Sequence, residues 1–163
     1  MHRYLVALGS NRRHHRHGPP ERVLVAAMAE LARAGALVEQ FSPILRNPPI
    51  GPSRRRFANA AAVLTFAHGP GVLLEALKKI ERDFGRKRSG RRWGERVLDL
   101  DIILWDGGAW KAPGLIIPHP AFRQRAFVLR PAAAIAPGWR DPFTGFTLSQ
   151  LSRRLTKPRC VPS

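Results

Sequence analysis

The run Val97-Leu98-Asp99-Leu100-Asp101-Ile102-Ile103-Leu104 restricts the possible folds more than any other stretch of the chain. As a strand it puts Asp99 and Asp101 on one face, Cα atoms roughly 7 Å apart, and turns Leu98, Leu100 and Ile102 to the other. A sheet carrying this strand has one apolar face to bury and one face that presents two carboxylates. Like charges so placed repel unless a cation answers them. Mg²⁺ fits, because this hard ion commonly takes one or two protein carboxylates together with substrate phosphates. The plainer alternative is a solvated pair on an edge strand, or partners of neighbouring arginines.

Those arginines precede the strand directly. Arg86 to Arg96 contains six Arg and Lys residues, with Gly90 and Gly94 to lend freedom and Trp93 as something to bury. The whole chain repeats the imbalance, with 28 Lys and Arg against 11 Asp and Glu and a formal net charge of +17. A field of that size attracts polyanions: nucleic acid, an acidic membrane surface or a phosphorylated metabolite. The excess is mostly Arg, which suits bidentate phosphate contacts.

At 163 residues, 44% hydrophobic and 24% charged, the chain reads as a single soluble domain with a core of its own. Cys160 is the only cysteine, which excludes a disulfide framework or a cysteine metal site and fits a reducing, cytoplasmic setting. No apolar run reaches the length of a membrane span.

Periodicity then orders the elements. Tyr4 to Leu8 reads as a buried strand stopped by Gly9-Ser10-Asn11, and Arg12 to His17 as a basic, His-rich, solvated loop. Pro19-Pro20 opens a helix over 20–34, ended by Gly35. Ala36 to Leu45 returns to strand, with Pro43 implying a kink or an edge position. Asn47-Pro48-Pro49-Ile50-Gly51-Pro52 is a stiff loop. Phe57 to Phe66 is the third strand, with the polar Asn59 inside it. Gly69-Pro70-Gly71 opens a second helix, whose apolar stripe is Leu73, Leu77, Ile80 and Phe84 and whose cap is Gly85; Glu81 lies beside that stripe, facing either the core rim or solvent. Val97 to Trp105 is the fourth strand.

Strand, helix, strand, strand, helix, strand is the ferredoxin-like βαββαβ order, an α+β fold with an antiparallel sheet and packed helices. A C-terminal helical extension follows. It has a turn at Asp106-Gly107-Gly108, a short strand Leu115 to Ile117 and a rigid corner at Pro118-His119-Pro120. Beyond lie a helical stretch Ala121 to Ile135 broken by Pro131, a Thr147/Gln150 capping box opening a last helix through Leu155, and a frayed tail.

Phosphate chemistry needs positioned cations and Arg clamps, and both kinds of part are present. The P-loop and protein-kinase signatures are not. Taken together, Leu8-Gly9-Ser10-Asn11, Asn47-Pro48-Pro49-Ile50-Gly51, Phe57-Ala58-Asn59-Ala60-Ala61, Gly85-Arg86, Arg92-Trp93-Gly94, Leu98-Asp99-Leu100-Asp101-Ile102, Pro118-His119 and Arg125-Ala126-Phe127-Val128-Leu129 resemble the 6-hydroxymethyl-7,8-dihydropterin pyrophosphokinase family of folate biosynthesis, in order and approximate spacing from residue 4 to about 151.

That resemblance implies transfer of an intact diphosphate from ATP to the pterin hydroxymethyl group, with release of AMP. It implies two Mg²⁺ ions on Asp99 and Asp101, and triphosphate contacts from Arg86, Arg96, His119 and Arg125. Arg88 and Trp93 would ride on a loop that closes over both substrates. The pterin would stack between Phe57 and Phe127 while Asn59, with groups around Asn47, Pro48 and Ile50, reads its polar edge. The expected partners are these small molecules alone, without nucleic acid or membrane, and the expected state is a monomer. The chain departs from its relatives at Glu95, where they usually carry Pro, in the longer and more basic segment after Asn11, and at Phe57, an aromatic without a hydroxyl.

Two rival classes use part of the same features. An RNA-binding module of ferredoxin-like fold would use the +17 charge, but it expects aromatic pairs on the central strands and leaves the aspartates as a liability. A two-metal nuclease would use the aspartates but not Asn59 or the Asn-Pro-Pro loop.

Overall fold

The computed structural model of the protein describes residues 1–47, 57–85 and 97–157. The expectations for Pro48 to Pro52, for the basic loop Arg86 to Arg96 and for the end of the tail lie outside the described residues. The elements run β1 (His2–Ser10), α1 (Pro20–Arg33), β2 (Leu37–Phe41), β3 (Leu45–Asn47), β4 (Phe57–Phe66), α2 (Pro70–Asp83), β5 (Asp99–Trp105), β6 (Trp110–Ala112), β7 (Leu115–Ile117), α3 (Ala126–Ile135) and α4 (Leu148–Thr156). The main sheet is antiparallel in the order β2-β4-β1-β5, with β3 also paired to β4, as the ferredoxin-like order requires.

Alternation sorts side chains between two cores. Tyr4, Val6 and Leu8 of β1, the even residues of β4 and Leu98, Leu100 and Ile102 face α1 and α2, which contribute Leu24, Leu31, Leu73 and Leu77 among others. Leu5, Ala61, Val63, Ile103 and Leu104 face the C-terminal extension, where Phe122, Val128, Leu129, Leu148 and Leu151 complete a second core. The extension thus closes the sheet on the face opposite α1 and α2. Gly35 and Gly85 follow the two helices with φ of 97°, a left-handed conformation that disfavours a Cβ.

Several expectations are corrected. Strand β1 does not stop at Leu8: Gly9 and Ser10 stay in the ladder, opposite Asn59 and Ala58, because β4 is long enough to pair with them. The single strand expected over Ala36–Leu45 is two strands. At the break, Ser42 Oγ accepts the Ala61 N–H at 2.9 Å and Ser42 N–H donates to Ala61 O, which bridges a point where Pro43 has no N–H to offer. Phe122–Gln124 form a 3₁₀ turn rather than α-helix, and α3 runs unbroken through Pro131, whose burial offsets the lost ladder bond. A hairpin partner for β7, the strand β6, went unread in the sequence.

The His-rich segment is a loop with Arg12, Arg13, His15 and Arg16 exposed, as expected, but His14 departs from it. His14 is 8% exposed and pairs with Gly18 through both backbone bonds; its Nδ1 accepts the N–H groups of Arg16 and His17 at 3.1 and 3.2 Å. The rings of His14 and His17 pack against Phe84 at the end of α2, which gives imidazole faces an aromatic surface to cover. The expected capping box of α4 is present in full, with both bonds between Thr147 and Gln150.

Candidate active site

The polar residues of the second face collect at one end. In β1 the side chains pointing to that face run Leu5, Ala7, Gly9, decreasing in size. Pairing places Asn59 opposite Gly9 on one side and Asp99 opposite Gly9 on the other; in the next row Ala61, Ala7 and Asp101 stand in line. Leu45 of β3 extends the first row beyond Asn59, and Asn47 pairs with Phe57. One surface therefore carries Phe57 and Asn59 on β4 and both aspartates on β5, with β1 between them.

The strand β5 has β1 on one side only within the described sheet, and two devices anchor it. At its outer edge, Leu100 N–H donates to Glu81 Oε1 at 3.1 Å, and Glu81 is only 4% exposed. The peptide that joins the two aspartate residues is thus tethered to α2 by a buried carboxylate. Further along, the register slips between Leu5/Leu104 and Val6/Ile102, leaving Ile103 as an unpaired bulge residue. A bulge re-aims its backbone, and the Ile103 carbonyl accepts the His119 N–H at 3.0 Å. The corner that carries His119, which follows a cis Ile117–Pro118 peptide, is so held against the aspartate strand.

His119 Nδ1 accepts the Ala121 N–H at 3.2 Å. Its pKa is lowered from the ordinary 6.5, first by burial and then by the Arg125 charge, with Asp99 pulling the other way. The ring is neutral at pH 7, and with Nδ1 occupied as an acceptor its proton sits on Nε2, a donor. His119 and Asp101 both line a groove of about 310 Å³ along the outer edge of β5, whose apolar walls include Leu74, Ile102, Leu115 and Ile116.

Arg125 stands at the N-terminal end of α3, its guanidinium 5.7 Å from the centre of the Phe127 ring. Phe127 is half-buried against the second core. The turn before α3 is braced by Arg123, which donates to Asp141 at 2.5 and 2.7 Å. Burial raises the Asp141 pKa, but the bonds from Arg123, Thr144 and the Phe143 N–H, with the Arg123 charge, outweigh it and leave the carboxyl below its ordinary value.

Of the residues expected at the site, the structure places Phe57, Asn59, Asp99 and Asp101 on one face of the sheet, His119 beside Asp101 and within the influence of Arg125 and Asp99, and Phe127 against the second core beside Arg125. It describes the backbone of Asn47 there. Pro48, Ile50, Arg86, Arg88, Trp93, Arg96 and Glu95 lie outside the described residues. Glu81, undecided in sequence between core rim and solvent, is buried on the stripe its spacing of four from Leu77 shares, and Gly9 is a strand residue rather than part of a turn.

The donor set suits Mg²⁺: two hard carboxylates, half-buried, on one face of a strand. Among the described residues no group of three or more His, Cys, Asp or Glu forms a metal cage. A cation here would take the rest of its shell from water and phosphate, which is the Mg²⁺ habit rather than that of structural zinc.

Comparisons with known proteins show the family. Residues 5–137 match the model of the 7,8-dihydro-6-hydroxymethylpterin-pyrophosphokinase (HPPK) family. The 2-amino-4-hydroxy-6-hydroxymethyldihydropteridine pyrophosphokinase of Synechocystis is 41% identical over 151 residues, 92% of this chain and 74% of that protein. The enzyme of the same name from Bacillus subtilis is 38% identical over 156 residues, covering 94% and 90%. Among solved structures, an HPPK-DHPS chain crystallised in complex with substrates superposes with a TM-score of 0.69 at 11% identity, over 94% of this chain and 44% of that one, a likeness of fold. The chain belongs to the 7,8-dihydro-6-hydroxymethylpterin-pyrophosphokinase family.

Proposed function

We propose that the protein transfers diphosphate from ATP to the hydroxymethyl group of 6-hydroxymethyl-7,8-dihydropterin, giving the pterin diphosphate and AMP, a step of folate biosynthesis. The substrate hydroxyl oxygen bonds to the β-phosphorus, the anhydride bond between α- and β-phosphates breaks, and AMP leaves with the bond electrons while the hydroxyl proton is lost. Beyond family membership, one observation carries the reading: Asn59 and Asp99 share a row across the sheet with only Gly9 between them. A ring-reading amide and a metal-holding carboxylate thus address the two ends of one small substrate.

In this reading Asp99 and Asp101 would hold Mg²⁺, two ions in number, beside the triphosphate. The metal supplies charge neutralisation to the phosphates when bound. His119 donates from Nε2 to a phosphate oxygen, and Arg125 supplies a fixed positive charge beside it, joined by Arg86 and Arg96. The apolar groove at the edge of β5 accepts the adenosine end of ATP, since it opens beside Asp101 and His119. Phe57 and Phe127 stack the pterin, Asn59 pairs with its polar edge, and the segment Asn47, Pro48 and Ile50 adds backbone groups. Arg88 and Trp93, which the resemblance assigns to the site, would help exclude water from the anhydride. The reading includes a cytoplasmic monomer of one domain, the monomer to be checked by light scattering.

The RNA-binding alternative receives no support from the relatives, and it leaves two aspartates on the face where phosphates would lie. The test is direct. Purified protein with ATP, Mg²⁺ and the hydroxymethyl-dihydropterin should form AMP; no AMP at saturating substrates would sink the reading.

A further inference from the structure

We propose that Gly9 is a specificity-determining residue for the pterin substrate: the missing side chain is the passage by which the substrate spans from Asn59 to Asp99. This rests on the activity proposed above, and two observations carry it. The first is register. Gly9 is the β1 residue opposite both Asn59 and Asp99, so anything that touches both must cross β1 at that position. Two strand spacings separate them, about 10 Å, which is the scale of a bicyclic ring with a one-carbon arm.

The second is crowding. A Cβ built on Gly9 would lie 3.2 Å from Asn59 Oδ1, closer than ordinary van der Waals contact. The same direction is the floor between Asn59 and Asp99, because directly opposed residues in an antiparallel ladder point to one face. No backbone strain demands glycine here, since Gly9 is not among the residues of positive φ. A glycine inside a strand weakens the strand and commonly marks a close approach of a ligand or another group. The close approach in this case comes from the side chain of Asn59 and, by the register, from the substrate above it.

A methyl at position 9 should therefore act on one substrate and spare the other. ATP, held by the groove at the outer edge of β5, by His119 and by Arg125, lies beyond Asp99 and Asp101 from Gly9. Strand stability should not fall on adding a Cβ, because alanine loses less backbone entropy than glycine on folding.

The experiment measures binding of 6-hydroxymethyl-7,8-dihydropterin, in the presence of Mg²⁺ and a saturating non-hydrolysable ATP analogue, to wild type and to Gly9→Ala. The expected result is a dihydropterin Kd raised about ten-fold or more, an analogue Kd changed less than about two-fold, and an unchanged melting temperature. Equal pterin affinity, or parallel loss of both ligands with a lowered melting temperature, would overturn the assignment. The double variant Gly9→Ala/Asn59→Ser guards against crowding alone, since the shorter serine relieves the contact but leaves the methyl in the passage. It should bind the pterin several-fold more weakly than Asn59→Ser, and equality of the two would equally overturn the assignment. Because binding is read without turnover, a wild type that binds the pterin but forms no AMP would fail the activity reading and not this one.

Discussion

Below the sheet, Tyr4, Val6 and Leu8 of β1 close against α1 and α2 in a continuous apolar layer. Above it, the same strand turns out Leu5, Ala7 and Gly9, and only the first of these sits deep in a core. The lower face is uniform because two helices cover it from end to end. The upper face is graded: the end with Leu5, Val63 and Ile103 packs against α3 and α4, and the end with Gly9, Asn59 and Asp99 turns polar. The contrast teaches that the site is the polar continuation of a core. Its floor is small and its rim is charged where the apolar packing of the second core gives way.

That comparison can be broken most severely at the rim. Asp99→Ala and Asp101→Ala are each expected to cut AMP formation by about a thousand-fold or more while the melting temperature stays within a few degrees; thermal melts beside turnover measure both. A variant that loses activity only by unfolding would erase the distinction between rim and core. The converse belongs to the lower face, where Leu24→Ala should cost about 2–5 kcal/mol in urea titrations and leave turnover per folded molecule intact.

A smaller effect tests how the covering layer ends. Asp141 is fully buried beneath Arg123 on the turn leading to Arg125, so Asp141→Ala should cost about 3 kcal/mol and raise the KM for ATP as that turn loosens. An unchanged KM beside the stability loss would confine the brace to the fold. Next comes the tie between the faces. Glu81→Ala should cost about 1–3 kcal/mol and weaken Mn²⁺ binding, because the peptide between the aspartates loses its anchor, while Glu81→Gln keeps an acceptor and should recover part of both. Alanine and glutamine variants that behave alike would point to the charge instead.

The smallest expected effect is on pH. His14 and His119 both have pKa values lowered below 6.5, in each case first by burial, so the folded state binds their protons less tightly than the unfolded chain does. Their contribution to stability is present above that ordinary value and is lost as pH falls below it, through the folded pKa. Melting temperatures should decline as the buffer moves from pH about 7.5 to about 5.5, and His14→Asn should flatten the decline. A flat wild-type profile would show that neither ring resists protonation.

Much of this was legible because local physics is written in local pattern. The alternation around Asp99 and Asp101 is the period of a strand, and it placed both carboxylates on one face before any tertiary contact was known. The capping box at Thr147 was legible for the same reason, since its two bonds close within four residues. His14 misled because its partners include Phe84, seventy residues away, and a polar run in sequence says nothing about a distant ring that covers it. Pro131 misled because a proline's cost to a helix is local, while the packing that offsets it is not.

The chain alone determined the βαββαβ order of its core elements, the two-sided chemistry of β5 and the residue types able to meet metal, phosphate and a flat polar ring. Periodicity and composition suffice for those, since each depends on neighbours within a few residues. Only the tertiary structure decided that Gly9 stays in the ladder between Asn59 and Asp99, that a bulge at Ile103 holds the His119 corner, and that Glu81 turns inward to Leu100. Each of these depends on which strand lies beside which and in what register, and register is a property of pairs of strands that no single segment contains.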